Sequence, residues 1–205
     1  MEKLGLLAIV GSLREGSFNR QLALAAKAAL GEQAEMTLLD YADVPMMNED
    51  IEFPAPEAVR RAREAVKAAD GVWFFTPEYN HSLPGVLKNL IDWLSRKPGE
   101  KESSVLWRKP GTYSGITPGM SGTAIAQDNL VTLISFLNMD VMNSPRLTIP
   151  NAMQNMDLMN APRLAVPNAW DQADGDGRLA LTEGAIYLEK QANAFVTFLR
   201  RRKAL

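Results

Sequence analysis

The segment Gly11-Ser12-Leu13-Arg14-Glu15-Gly16-Ser17-Phe18-Asn19 gathers two serine hydroxyls, one amide and one guanidinium. Such a set suits an anion, above all a phosphate: the short side chains donate hydrogen bonds and Arg14 supplies a fixed positive charge. The segment follows an apolar run and opens a helical pattern. A helix N-terminus therefore faces the same anion with free N–H groups and the positive end of its dipole. Gly11 and Gly16 are expected to let the backbone turn closely around the ligand. Two familiar nucleotide loops are excluded: the Gly-Lys-Ser/Thr ending is missing, and Leu13 interrupts G-x-G-x-x-G. A plain capped turn, with Ser17 or Asn19 as the N-cap, is the alternative. A second segment, Thr76-Pro77-Glu78-Tyr79-Asn80-His81-Ser82-Leu83-Pro84-Gly85, is polar, stiffened by proline and carries an aromatic ring. A rigid loop of this kind can present backbone N–H groups and a ring edge to a flat heterocycle. His81 is the single histidine of the chain. It is open between a packing or interface role and contact with a ligand.

Both segments need a frame to bring them together. The runs 4–10 and 71–75 are continuously apolar, as in strands buried on both faces of a parallel sheet. Further strands are expected over 36–39 and 111–116. Helical spacing predicts helices over 19–30, 56–69, 84–94, 121–137 and 183–202, with Ser82 in the N-cap region of the third. Strand and helix alternate throughout, which predicts an α/β fold with a parallel sheet and helices on both faces. In the order 2-1-3-4-5, strands one and three are neighbours, and the two polar loops emerge side by side at the edge where such sheets bind ligands. With 205 residues and no linker-like stretch, the chain is expected to be one domain over 1–205.

Composition narrows the function. The net charge is only −2, too small for the basic field that collects nucleic acid. The absence of cysteine removes disulfides, thiolate metal sites and cysteine catalysis, and no metal site is expected. No apolar run reaches the roughly 18 residues of a membrane span, and residues 1–10 lack a signal-peptide layout. A soluble, cytoplasmic protein is expected, with no membrane or nucleic-acid partner.

One stretch is irregular. Residues 138–154, NMDVMNSPRLTIPNAMQ, and 155–171, NMDLMNAPRLAVPNAWD, match at 11 of 17 positions without a gap. This is a tandem duplicate. The expectation is that one copy supplies the fifth strand and the other is an excursion at the surface. Met139, Met142, Met153, Met156 and Met159 make the stretch pliable packing or interface material. Residues 172–183 imitate a calcium loop, but Gln172 stands where the first carboxylate ligand belongs, and a simple turn is expected. The basic cluster Arg200–Lys203 is expected to complement the dipole of the last helix.

GSLREGSFN followed by TPEYNHSLPGVLKNLIDWLSR resembles the NADPH-dependent FMN reductase family. The likeness is closest to its chromate and quinone reductase branch, which also holds azoreductases. It extends to about residue 150 and resumes in the last helix. The resemblance implies a flavodoxin-like three-layer sandwich with a five-stranded parallel sheet in the order 2-1-3-4-5. It implies tightly but non-covalently bound FMN, a homodimer or homotetramer, and NADPH or NADH as hydride donor. The acceptors implied are small molecules: quinones, azo compounds, metal oxyanions or free flavin. By the same resemblance Ser12, Arg14, Ser17, Phe18 and Asn19 match the FMN phosphate loop. Pro77, Glu78, Tyr79 and Asn80 match the loop that touches the isoalloxazine ring. Ile116-Thr117-Pro118-Gly119-Met120-Ser121-Gly122 resembles the family's Ser-Pro-Gly-x-x-Gly stretch, which puts Ile116 and Thr117 near the ring. Lys88, Asn89, Asp92 and Trp93 match the dimer helix. No acid–base side chain is expected, because the atoms that react belong to cofactors. Two other classes share the fold: a flavodoxin-type electron carrier and a flavin-binding regulatory protein. The small net charge and Arg14 weigh against the carrier.

Overall fold

The computed structural model describes residues 3–119, 121–145, 165–166, 178, 181 and 184–204. Strand β1 (Leu4–Val10) is followed by α1 (Phe18–Leu30), β2 (Ala34–Leu38), α2 (Glu57–Ala68), β3 (Gly71–Phe75) and α3 (Gly85–Ser95). Then come β4 (Pro110–Ile116), α4 (Ala124–Phe136), β5 (Asp140–Val141), β6 (Ala165–Val166) and α5 (Gly184–Lys203). The sheet is parallel with the order β2-β1-β3-β4-β5, and β6 also pairs with β4.

The apolar runs of β1 and β3 are continuous because each feeds two cores in alternation. Leu4, Leu6, Ala8 and Val10 join Trp73 and Phe75 on the face covered by α1 and α5. Leu7, Ile9, Val72 and Phe74 face the layer that includes α2, α3 and α4. The α1 stripe Leu22, Ala23, Ala26 and Leu30 is buried as its spacing requires. β4 is buried along most of its length although it contains Thr112 and Ser114. Gln191 of α5 answers these polar groups: it accepts from Ser114 Oγ at 2.8 Å, and its Nε2 donates to the Tyr113 carbonyl at 2.9 Å and to Thr112 Oγ1 at 3.3 Å. Trp73 Nε1 donates to the same Ser114 hydroxyl at 2.9 Å. A polar strand is thus accommodated in the core because every partner it needs is supplied.

Three expectations change. Pro84, not Ser82, precedes α3, and Ser82 pairs with Tyr79 instead. Trp93 and Asn89, expected on the dimer helix, are buried within the chain. Trp93 is fully buried against Ala55 and Val59 and donates to the Pro45 carbonyl at 2.8 Å. Asn89 donates to the same carbonyl at 2.9 Å and accepts from Met47 N at 2.7 Å. These two side chains bind the 44–47 connection to α3, so replacing Trp93 would report on folding and not on assembly. The last helix is also more firmly held than a dipole argument implies: Arg202 pairs with Asp140 of β5 and Lys203 with Asp70 at 2.9 Å. The calcium-like stretch lies almost wholly outside the described residues, as do Met153, Met156 and Met159.

The fifth strand position draws on both copies of the duplicate. β5, from the first copy, pairs with Pro110 and Gly111. β6, from the second, pairs with Gly115 and Ile116. The expectation that one copy supplies the fifth strand and the other is a surface excursion therefore gives way to a strand position begun by one copy and finished by the other. The second-copy counterpart of Asp140–Val141 is Asp157-Leu158, and the first-copy counterpart of Ala165–Val166 is Thr148-Ile149. Excising 142–158 leaves one complete copy that still carries both β5 and β6. The shorter connection is expected to stabilise the fold by about 1 kcal/mol on chain length alone. For a chain of this size that raises the melting midpoint by roughly 2–4 °C. Loss of a cooperative melt in the excised protein would refute the composite strand.

Candidate cofactor site

The C-terminal ends of β1, β3 and β4 lie side by side, and three loops leave them on the same edge of the sheet. The first loop is tied to the second strand end by Gly11 N–H donating to the Phe75 carbonyl at 2.7 Å. Gly11 has a different use from the one expected. Its φ is not positive; a Cβ there would stand 3.1 Å from Leu87 Cδ2 and 3.2 Å from Pro77 Cδ, so glycine lets the first and third βα loops touch. Between the loops lies a cleft of about 350 Å³. All the residues expected at the site line it except Glu78 and Asn80, and Pro118 joins them.

The first wall holds the phosphate-suited groups. Ser17 is the N-cap of α1, accepting from Arg20 N at 3.3 Å, so the capping role and the ligand role fall on one residue. Arg14 is exposed, and its guanidinium lies 5.5 Å from the Phe18 ring centroid. Ser12 Oγ accepts from Arg14 N at 3.4 Å. Asn19 is turned to a task the sequence did not reveal. It is buried, donates to the Ile116 carbonyl at 2.8 Å and accepts from Ile116 N at 3.1 Å. It therefore locks the first wall to the end of β4.

The second wall is a two-residue hairpin. Tyr79 and Ser82 exchange backbone hydrogen bonds of 3.1 and 3.0 Å. The central pair Asn80 and His81 has φ of 51° and 57°, the mirror-image turn that such a short connection needs. Tyr79 is half exposed at the cleft and Pro77 is buried beneath it. Glu78 points elsewhere: its carboxylate accepts from Ala126 N at 3.0 Å and lies 3.2 Å from His81 Nδ1. His81 itself is exposed. The third wall is Ile116, Thr117 and Pro118, with the Thr117 side chain largely buried.

Behind the first loop, Tyr41 donates to the Val10 carbonyl at 2.5 Å, and burial, with a smaller effect from Tyr79, raises its hydroxyl far above the usual range. A second opening of about 520 Å³ lies there, on the far side of Arg14, against Asp40 and Tyr41. It is larger, but Glu15 and Asp40 line it beside its two arginines, and only one of the three loops reaches it. The smaller cleft is where all three loops converge. One end offers hydroxyls, a guanidinium and a helix N-terminus. The other offers apolar and aromatic surface. This division fits a ligand with a phosphate at one end and a flat ring at the other.

The model of the family described as NADPH-dependent FMN reductase matches residues 4–154. The chain is 40% identical over 146 residues to a 2-hydroxy-1,4-benzoquinone reductase from Burkholderia sp, covering 71% of this chain and 78% of the relative. It is 35% identical over 197 residues to an NAD(P)H-dependent FMN reductase of Pseudomonas aeruginosa, covering 96% and 95% of the two. Among solved structures, FerB from Paracoccus denitrificans, a flavoenzyme NAD(P)H:(acceptor) oxidoreductase, superposes with a TM-score of 0.77 at 29% identity, covering 97% of this chain and 98% of that one.

Proposed function

The chain belongs to the NADPH-dependent FMN reductase family, and from that premise we propose that it is an FMN-containing oxidoreductase that carries electrons from NADPH or NADH to quinones. Azo compounds, metal oxyanions and free flavin are the other acceptors its chemistry admits. The observation that carries this reading is the cleft where the three loops meet, phosphate-suited at one end and apolar at the other.

The residues divide the work by chemistry. Ser12, Arg14 and Ser17 would hold the FMN phosphate, with the first N–H groups of α1 adding their partial positive charge. Pro77, Tyr79, Ile116 and Thr117 would bound the ring. Bound FMN supplies the centre that takes up hydride and gives out electrons. The chain's own part is to hold the two reactants in register, to limit water at the ring and to surround it with oriented dipoles. No titratable side chain is assigned to proton transfer.

An anaerobic titration tests the reading: FMN is taken up, its visible absorption bleaches on adding NADPH, and a quinone restores it. Bound flavin that stays oxidised under NADPH would point to a carrier or regulator. Arg14→Ala is expected to weaken FMN binding by about 10–150-fold, the range for a hydrogen bond to a charged group. Unchanged affinity would remove the phosphate from this end of the cleft.

We further propose that the chain acts as one FMN-binding domain over 1–205 and assembles as a homodimer or homotetramer in the cytoplasm. The outer face of α3, where Val86 and the Lys88–Asp92 ion pair of 2.7 Å are exposed, supports a contact there. Among the described residues no helix is long and apolar enough to cross a membrane, and the small net charge supports a partnership with small molecules, not nucleic acid.

A further inference from the structure

Helix α4 begins without a side-chain cap from its own N-cap residue. The residue before it, Thr123, has a φ of 70° and makes no side-chain capping bond, and the first turn contains no acid. A carboxylate nevertheless sits at that helix end, delivered from 48 positions away: Glu78 Oε2 accepts from Ala126 N at 3.0 Å. Its side chain is only 5% exposed, although its neighbours Tyr79, Asn80 and His81 are all exposed. Burying a carboxyl side chain in a surface hairpin is costly unless it is hydrogen-bonded, and here the N–H at the α4 N-terminus bonds it. A second, exposed connection follows the same course: Asn129 Nδ2 donates to the His81 carbonyl at 3.3 Å and to Ser82 Oγ at 3.4 Å. The hairpin is thus docked along the first two turns of α4, and Glu78 is its least exposed fastening among the described contacts.

We propose that Glu78 is a positioning residue: its carboxylate caps α4 from outside the helix and thereby sets the distance between two walls of the cofactor cleft. The inference rests on the reading of the cleft as the FMN site. The flanking residues Pro77 and Tyr79 line one wall, and α4 is the direct continuation of the loop whose Thr117 and Pro118 line the other. Fastening the hairpin to the helix therefore fixes wall against wall. Glu78 acts on the ligand through these neighbours and does not touch it.

The test compares Glu78→Ala with Glu78→Gln in the full chain. FMN affinity is read by quenching of flavin fluorescence, fold by the melting midpoint, and the clasp by hydrogen exchange of the Ala126 amide without flavin. Glu78→Ala is expected to speed exchange at Ala126 and to weaken FMN binding about tenfold. Glu78→Gln keeps an acceptor for Ala126 N–H and is expected to restore most of both. If both variants lose affinity equally, the charge acts on the ligand directly and the proposal is wrong. If Glu78→Ala lowers the midpoint but leaves FMN affinity unchanged, the clasp is structural only and the proposal is equally wrong. Failure of the parent protein to bind FMN would overturn the cofactor reading and the role assigned here with it, while exchange at Ala126 would still report separately whether the clasp exists.

Discussion

Gly115→Ala is expected to lower stability by about 3 kcal/mol or more and to abolish FMN retention. A Cβ at this position would run into the Thr76 carbonyl oxygen and Thr123 Oγ1 and stand 2.9 Å from Thr123 Cβ. Neither obstacle is a flexible side-chain end. Thr76 is held by its N–H, which donates to the Ser114 carbonyl at 2.9 Å, and by its hydroxyl, which donates to the Pro77 carbonyl at 2.8 Å. Thr123 leads into α4, and its hydroxyl accepts from Gln127 Nε2 at 2.9 Å. Relief of the clash requires the β3 and β4 loop ends to move apart. Overpacking commonly costs about 1–3 kcal/mol, and more where backbone is the obstacle. A loss of 3 kcal/mol corresponds to a drop in melting midpoint of roughly 6–12 °C for a chain of this size. A midpoint within about 2 °C of the parent, with FMN still bound, would mean that the two loop ends are not packed as described.

Asn19→Ala is expected to be nearly as damaging, by the opposite physical route. Both backbone groups of Ile116 have the Asn19 amide as partner, at 2.8 and 3.1 Å, and Ile116 is 1% exposed. Removing the amide leaves a buried N–H and a buried carbonyl unpaired, at about 1–3 kcal/mol each. Asn19→Asp would not rescue the loss, since it keeps an acceptor for the N–H but turns a second oxygen toward the Ile116 carbonyl. The midpoint and the FMN affinity are expected to fall together in both variants. A variant that loses affinity at an unchanged midpoint would show instead that Asn19 acts on the phosphate directly.

The frame of the molecule was legible because it depends on local pattern. β1 and β3 are read from unbroken apolar runs, and α1 from a stripe repeated at helical spacing. The loops were legible because polar and glycine-rich segments follow those strands. What escaped is what depends on pairs distant in the chain. Asn19 sits in the phosphate-suited loop and lines the cleft, yet its amide bonds run to a residue 97 positions on. Glu78 sits in the loop that resembles a ring-contacting one, yet its carboxylate reaches 48 positions forward to a helix end. Neither partner is a side chain, so no complementary residue type marks it in the sequence. Trp93 escapes a single-stripe reading because α3 is apolar on more than one side: Leu87, Leu90, Ile91 and Leu94 fill the main core, and Trp93 fills a separate one against α2. The spacing of Asn89 and Trp93, one helical turn apart, was the available signal of a second buried face. The polar strand β4 was weak by composition because its partner, Gln191, comes from the last helix.

The composite fifth strand bears on heredity more than on catalysis. A frame-preserving duplication inside β1 or α1 would displace core residues from their places. The same event here falls on the segment that holds β5 and β6, the two described pairings of the fifth strand position. Of the first-copy residues that meet β4 and α5, Asp140, Met142 and Asn143 have identical counterparts in Asp157, Met159 and Asn160, and Val141 has the apolar Leu158. A single-unit chain is therefore expected to keep both strand pairings, so that loss of one unit in a single genetic step would leave the fold in place.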